Sequence, residues 1–319
     1  MRWIILVGLV VVGVAGLVRV LDWGYARGVE WRYEKWNASI ERDAQGVRLD
    51  YMEIERGMTP ERGKAVLFVH GFASPPALYD RFLPVFDEAG YACRAIRLPG
   101  FGETIASARE VTHEDWLRKI DQEIRALRAQ YPEVWIVAHS LGAASSVAAI
   151  SAYDLDVDGL VMLAPLLEVS DKRSPLLPPR RWFDIGTRSM RHITMLETAF
   201  PIHSDDPALR NLPGRDLFLP LSIFEAVFEM TDLAQRAELP EGMPLFMATA
   251  DTDRVVDSEA AAAWFDARAR EGDQRVTRHP AGHLLPLDTG WDSLARDVLD
   301  FMQARDTDGP AYGFSDTQE

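Results

Sequence analysis

The sequence predicts an α/β fold, in which a mostly parallel sheet is covered by helices on both faces. From Gly46 onward, short apolar runs alternate with segments whose apolar residues recur at helical spacing. Such alternation is typical of parallel sheets, because each pair of parallel strands needs a long, usually helical, crossover. A chain of 319 residues is long enough to bury the core of one such domain that carries an insertion.

The apolar runs predict each strand in turn. Residues 48–54 alternate polar and apolar side chains, which is typical of a half-exposed strand. The strands that follow are predicted at residues 65–69, 92–96, 134–138, 160–163, 245–250 and 275–279. Helices are predicted at residues 77–89, 116–127, 143–152, 258–270 and 291–304. The two core segments are therefore residues 46–165 and 244–305.

Residues 166–243 interrupt this alternation of strands and helices between two core strands. The segment is rich in proline and contains an amphipathic helical pattern around Phe224 and Phe228. It is too long for an ordinary connection, so it predicts an inserted helical cap over the carboxyl edge of the sheet. A second structural subdomain without a role as a lid is the alternative. The polar composition of the tail, residues 306–319, predicts that it is disordered.

The amino-terminal residues 1–22 predict a transmembrane anchor and hence a membrane localisation. The apolar run begins at Trp3 and continues past Arg19; nineteen helical residues span about 28 Å, close to the thickness of the hydrocarbon layer. Residues 23–45 would follow as a juxtamembrane helix or linker. A cleaved secretory signal, which would give a secreted or periplasmic protein, is the alternative. The basic residues on both sides leave the side of the membrane open.

The charge of the chain argues against nucleic acid as a partner. The net charge is −15 and the isoelectric point is near 4.9, whereas nucleic-acid phosphates need a basic surface. The single cysteine, Cys93, excludes an internal disulfide.

A serine follows one of the buried strands at a predicted sharp turn. The stretch from Ala138 to Gly142 matches the pattern small-x-Ser-x-Gly, with Ser140 at the apex. Small residues on both sides let the strand and the next helix approach closely, which lifts the hydroxyl above the strand ends. A serine hydroxyl is a weak nucleophile by itself. Acyl transfer would also require a base, a carboxylate that orients the base, and donors for an oxyanion.

The loops after the last two strands provide the base and the carboxylate. His283 lies just past the last strand, and Asp253 lies three positions beyond the end of the strand before it. Both loops leave the sheet at the edge that carries Ser140. His279 and Asp251, which lie closer to their strand ends, are the competing candidates.

Backbone N–H groups of Phe72 and Leu141 are the candidate oxyanion donors. Gly71 allows the chain to turn after the strand at 65–69, so that the Phe72 N–H can face the pocket. Leu141 begins the helix after the serine, where the helix dipole favours negative charge. His70 is expected to brace the loop.

Two further stretches carry a family resemblance. Residues 68–75 read Phe-Val-His-Gly-Phe-Ala-Ser-Pro, and residues 98–102 read Leu-Pro-Gly-Phe-Gly. They resemble the α/β-hydrolase branch that holds carboxylesterases, monoacylglycerol lipases, lysophospholipases and the serine aminopeptidase S33 domain. The chain departs from that pattern at Ala138, where the family has glycine, and at Phe101, where it usually has histidine.

The resemblance covers roughly residues 46–304 and implies an α/β-hydrolase fold. It also implies a catalytic triad of Ser140, Asp253 and His283, oxyanion donors at Phe72 and Leu141, and neither a metal nor an organic cofactor. The seven histidines show no spacing typical of metal ligands.

The expected activity is hydrolysis of carboxylic esters through an acyl-enzyme, as in a carboxylesterase or a monoacylglycerol or lysophospholipid lipase. Apolar cap residues favour a small ester or a lipid as substrate. An S33-type aminopeptidase would need an acidic subsite, for which Glu168, Asp171 and Asp184 are candidates. A membrane-tethered, non-catalytic binding protein is the remaining alternative. Acyl-chain length and oligomeric state stay open.

Overall fold

The computed structural model describes residues 2–174, 176–198, 204, 206, 209 and 214–306. The predicted disordered tail lies outside the described residues, apart from Asp306, which ends the last helix. The strands are β1 (Ile54–Arg56), β2 (Lys64–Val69), β3 (Ala92–Ile96), β4 (Glu133–His139), β5 (Gly159–Leu163), β6 (Met195–Glu197), β7 (Phe218–Pro220), β8 (Leu245–Ala250) and β9 (Gln274–Arg278). The helices are α1 (Arg2–Asn37), α2 (Phe82–Glu88), α3 (Ile105–Ala108), α4 (His113–Arg128), α5 (Leu141–Tyr153), α6 (Pro179–Ser189), α7 (Leu221–Arg236), α8 (Ser258–Asp266) and α9 (Trp291–Asp306).

Seven strands form the main sheet in the order β1-β3-β2-β4-β5-β8-β9. β1 is antiparallel to β3, and the other neighbours are parallel. The predicted mostly parallel sheet is therefore confirmed. The carboxyl ends of β4, β8 and β9 lie along one edge, which brings the loops that follow them close together.

Helices cover both faces of the sheet. On one face, Phe68 of β2 contacts Phe86 of α2, and Trp135 of β4 contacts Phe301 of α9. Helices α4, α5 and α7 pack against one another as a second layer. α4 begins with a capping box formed by Thr112 and Asp115, and it buries an apolar stripe typical of a helix packed on one side.

The first predicted strand differs from the structure. Residues 48–54 do not form a strand; Leu49–Tyr51 is a 3₁₀ turn, and pairing with β3 begins only at Ile54. The turn lets the side chains of Arg48 and Tyr51 bond inward, to Asp216 and to the Ala73 carbonyl.

The helix predicted at 77–89 is divided into a 3₁₀ turn, Pro76–Tyr79, and α2. Pro84 has no N–H and fits only within the first turn of a helix, so α2 begins just before it.

The prediction of an N-terminal membrane helix, and with it of a membrane localisation, is wrong. Across the described residues, none of the helices combines the length and the apolar character that crossing a bilayer requires. α1 instead continues through the predicted linker to Asn37, and its second half packs onto the domain. Val29 lies in a small apolar cluster with Ile105, Met195 and Phe218.

Residues 166–243 leave the sheet after β5 and return to it at β8. They contain α6, α7 and a separate two-stranded antiparallel sheet of β6 and β7. We call this segment the cap. α7 buries Ile223, Ala226 and Met230 against the core, whereas no residue of α6 is buried.

Candidate active site

Ser140 occupies the turn between β4 and α5 in a strained conformation. Its φ is 52° and its ψ is −117°, a region that non-glycine residues rarely adopt. Gly142 makes the turn possible, because a Cβ there would lie 2.4 Å from the Val69 carbonyl oxygen. A Cβ at Gly71 would likewise lie 2.7 Å from the ring of His139 and 3.0 Å from the Ser140 Cβ. Only glycine at these two positions lets the three segments meet.

The structure brings Ser140, His283 and Asp253 together. The Nε2 atom of His283 lies 2.9 Å from the Ser140 Oγ, and its Nδ1 atom lies 2.8 Å from the Asp253 Oδ2. All three residues are buried. An imidazole in this position can accept the serine proton at Nε2 while the carboxylate holds its Nδ1–H.

The surroundings of Asp253 keep its carboxylate ionised. Burial by itself would raise the pKa of Asp253, but the charge and hydrogen bond of His283 and two backbone donors outweigh it and lower the pKa to about 2. Those donors are the N–H groups of Val255 and Val256, at 2.7 and 3.1 Å from Oδ1. The carboxylate is thus charged and fixed in orientation over the whole neutral range.

The competing candidates from the sequence bond to each other. Asp251 pairs with His279 through its Oδ2 atom and the Nδ1 atom of the ring. The His279 side chain is largely exposed, whereas that of His283 is only 9% exposed. Within the described residues, the geometry therefore favours Asp253 and His283 as the partners of Ser140.

The candidate oxyanion donors lie on both sides of the serine turn. The backbone N–H groups of Phe72 and Leu141 make no hydrogen bond with any described residue, so they are free to bind a ligand atom. Ala73, the next residue after Phe72, has a φ of 54°. Its carbonyl accepts hydrogen bonds from the Tyr51 hydroxyl at 3.0 Å and the Asp216 N–H at 3.2 Å, which hold the strained loop.

Two neutral histidines brace the site, and only His70 was assigned this role by the sequence. His70 donates from Nδ1 to the Gly71 carbonyl and accepts the Leu98 N–H at Nε2. Burial lowers the pKa of His70 to about 4. His139 lies beside the His283 ring and donates from Nε2 to the His283 carbonyl at 2.9 Å. Burial and the neighbouring His283 lower the pKa of His139 to about 3.

Asp288 is a second supporting residue that the sequence analysis missed. It is fully buried, and its Oδ2 atom accepts the Gly282 N–H at 2.7 Å. This bond fixes the backbone directly before His283. The only signal in the sequence is an aspartate five positions after the histidine, which by itself does not indicate such a contact.

A cavity of about 560 Å³ opens above Ser140. Its walls come from the core loops and from the cap. The residues around it include Phe72, Ser140, His283, Trp182, Phe183, Met190, Ile193, Leu196, Phe224, Val227 and Phe228. Phe101, which stands where the related proteins usually have histidine, is buried behind Phe72 and stacks on Trp116. The cavity is therefore mainly apolar, with the serine and histidine at its base.

Among the described residues, no group of histidine, cysteine, aspartate and glutamate side chains is arranged to hold a metal ion. The chemical groups at the base of the cavity are the hydroxyl, the imidazole, the carboxylate and the free backbone donors.

A serine on a strained strand-to-helix turn, bonded to a histidine at the carboxyl edge of a parallel sheet, defines an α/β-hydrolase. The sequence profile of the serine aminopeptidase S33 family matches residues 60–290. The chain belongs to this family, as the resemblance seen in the sequence implied.

Several known proteins are similar to this chain in sequence or in fold. The chain is 22% identical over 249 residues to a carboxylesterase of Bacillus subtilis (strain 168), covering 76% of this chain and 94% of the relative. The structure of a monoacylglycerol lipase from Paleococcus ferrophilus superposes with a TM-score of 0.65 at 18% identity, covering 79% of this chain and 98% of the other. A monoglyceride lipase from Saccharomyces cerevisiae gives a TM-score of 0.65 at 14% identity, covering 79% and 91%.

Proposed function

We propose that the protein is a serine esterase that cleaves carboxylic esters of apolar acyl groups through an acyl-enzyme. The observation that carries the proposal is the pair of hydrogen bonds of the His283 ring, which accepts the Ser140 hydroxyl at 2.9 Å and donates to Asp253 at 2.8 Å, at the base of an apolar cavity. The names of the related carboxylesterase and monoacylglycerol lipases agree with this chemistry.

The reaction begins when the Ser140 Oγ attacks the ester carbonyl and His283 takes its proton at Nε2. Asp253, ionised because its pKa is about 2, stabilises the imidazolium that forms. His283 then gives the proton to the departing alcohol. Water, activated by the same imidazole, cleaves the acyl-enzyme and releases the acid.

The oxyanion of the tetrahedral intermediate binds to the N–H groups of Phe72 and Leu141. Neither donor has a partner among the described residues, so neither has to give up a bond when the charge develops. One such donor contributes about 3 kcal/mol of transition-state stabilisation. The Tyr51 hydroxyl supports this step indirectly by holding the Ala73 carbonyl.

The composition of the cavity favours an ester over a peptide substrate. An aminopeptidase must bind a cationic amino terminus, yet no described aspartate or glutamate lines the cavity. The three residues that the sequence suggested for an acidic subsite, Glu168, Asp171 and Asp184, are not among its described lining residues. A non-catalytic binding protein would not require the ordered bonds between Ser140, His283 and Asp253.

The test is replacement of the serine. We expect Ser140→Ala to lower the hydrolysis of p-nitrophenyl esters by at least about 10⁴-fold and to abolish labelling by a fluorophosphonate. Ser145→Ala is the matched control, because Ser145 is a buried serine of α5, the helix that follows Ser140, and does not line the cavity. Hydrolysis or labelling that survives in Ser140→Ala would refute the proposal.

A further inference from the structure

The cavity of this acidic protein carries positive charge. The whole chain has 49 acidic and 34 basic residues, but the charged residues among the described lining of the cavity are two arginines, Arg215 and Arg254. A cleft with one sign of charge and apolar walls concentrates ligands of the opposite sign. The contrast with the rest of the molecule points to a substrate that carries a negative charge.

Among the described lining residues, Arg254 is the cation that is free to bind it. The Arg254 side chain is exposed at the cavity and makes no ion pair or hydrogen bond with any described residue. Arg215, in contrast, already takes part in other interactions. Many other arginines of the molecule are paired, such as Arg48 with Asp216 and Arg180 with Asp232. A guanidinium at the cavity with no partner among the described residues is available for a carboxylate or a phosphate.

The position of Arg254 identifies the part of the substrate that it meets. Arg254 directly follows Asp253, whose carboxylate holds the imidazole of His283. His283 must protonate the departing alcohol from its Nε2 atom, and His283 and Arg254 both line the cavity, so we assign the alcohol part of the ester to the part of the cavity that Arg254 lines. A second cation lies near the same loop, since Lys172 Nζ donates to the Asp253 carbonyl at 3.0 Å.

We propose that the site prefers esters whose alcohol part carries an anionic group, a phosphate or a carboxylate, and that Arg254 binds this group. The acyl chain occupies the apolar part of the cavity. The inference rests on the proposed esterase function and extends it to the substrate class. Hydrolysis breaks the bond between acyl carbon and alcohol oxygen, adds water, and releases a fatty acid and an anionic alcohol.

The experiment compares three esters of decanoic acid at concentrations below micelle formation: monodecanoyl glycerol, the same ester with a phosphate on its glycerol, and decanoyl glycerate. We expect the unmodified protein to cleave one or both anionic esters with a kcat/KM about tenfold above that of the neutral ester, the size of one partly screened ionic hydrogen bond. The anion that is preferred identifies phosphate or carboxylate as the natural group.

Three variants assign the preference to the guanidinium. Arg254→Gln should remove most of the tenfold preference, because it lowers kcat/KM for the anionic esters far more than kcat/KM for the neutral ester. Arg254→Lys should keep part of the preference for the anionic esters. Arg109→Gln is the control for lost charge, because Arg109 is exposed and is absent from the cavity lining; it should keep the full preference.

The inference is overturned if the unmodified protein shows no preference for either anion, or if Arg254→Gln lowers all three rates equally. These results leave the esterase function intact, since the neutral ester and p-nitrophenyl esters would still be cleaved. Absence of hydrolysis of every ester, together with absence of fluorophosphonate labelling at Ser140, would instead refute the proposed function itself.

Discussion

His139 should make the folded state less stable on mild acidification. The ring is buried beside His283, and burial lowers its pKa from 6.5 to about 3. In the unfolded chain the same ring takes up a proton below about pH 6.5. Because only the unfolded state binds this proton between about pH 6.5 and pH 3, the free energy of unfolding falls as the pH falls through that range.

The size of the effect follows from the two pKa values. At pH 5 the unfolded ring is about 97% protonated and the folded ring about 1%, which corresponds to a loss of about 2 kcal/mol relative to pH 8. His70, whose pKa is lowered to about 4, adds a loss of similar size. A loss of this magnitude is a large part of the stability of a typical domain, about 5–15 kcal/mol.

The variant His139→Gln tests this reasoning. Its amide can still donate to the His283 carbonyl but does not titrate. The free energy of unfolding is measured in urea at pH 8 and pH 5 for both proteins, and the difference between the two pH values cancels any cost that does not depend on pH. We expect the unmodified protein to lose about 2 kcal/mol more than the variant. An equal loss in both would show that His139 is not held neutral by its burial.

Two further predictions concern residues that hold the walls of the site. Tyr51→Phe removes the hydroxyl that donates to the Ala73 carbonyl; steady-state ester kinetics should show kcat lower by about 5–20-fold with KM nearly unchanged, and an unchanged kcat would contradict a role in positioning the oxyanion loop. In Asp22→Asn, a buried carboxylate of α1 that accepts the N–H groups of Arg191 and His192 is lost. Because Met190 and Ile193 line the cavity, KM should rise several-fold, by about 3–10-fold, and proteolysis near residue 190 should accelerate. Proteolysis at the original rate would show that α1 does not hold this wall.

The sequence predicts the sheet well because burial leaves a clear pattern. The runs that became β2, β3 and β4 are apolar at nearly every position, and strands buried on both faces require this. The first strand was predicted in the wrong place for the opposite reason. Alternation of polar and apolar residues over 48–54 also fits a turn whose Arg48 and Tyr51 side chains point inward. The spacing of apolar residues alone does not distinguish a strand from such a turn.

The apolar run at the amino terminus led to the wrong prediction of a membrane span. Its composition resembles a membrane span, but the helix it begins continues to Asn37 and uses Asp22 and Val29 to contact the cap and the apolar cluster. Those partners lie about 170 residues further along the chain in the case of Asp22. A hydropathy pattern records the segment alone and carries no information about such distant contacts.

The candidate site contains some residues that the sequence pattern predicts and others that it does not. Ser140, Asp253 and His283 follow β4, β8 and β9, and parallel strands end at one edge, so chain order alone predicts that these residues meet. Tyr51, Asp216 and Asp288 act from segments outside this repeating pattern, and their roles depend on how those segments pack. For this reason the sequence predicts Ser140, Asp253 and His283 as candidate reactive residues but does not predict that Tyr51, Asp216 and Asp288 hold the surrounding loops in place.

The charge of the cavity cannot be predicted from the amino-acid composition of the chain. A net charge of −15 predicts a protein that repels anions. Coulomb interactions at a site are nevertheless set by the few charges nearest to it, because salt screens charges beyond about 8–10 Å. The described lining of the cavity carries Arg215 and Arg254, and the Asp253 carboxylate behind His283 is paired with the imidazole. An acidic chain can thus present arginines at the cavity, as the proposed binding of anionic esters requires.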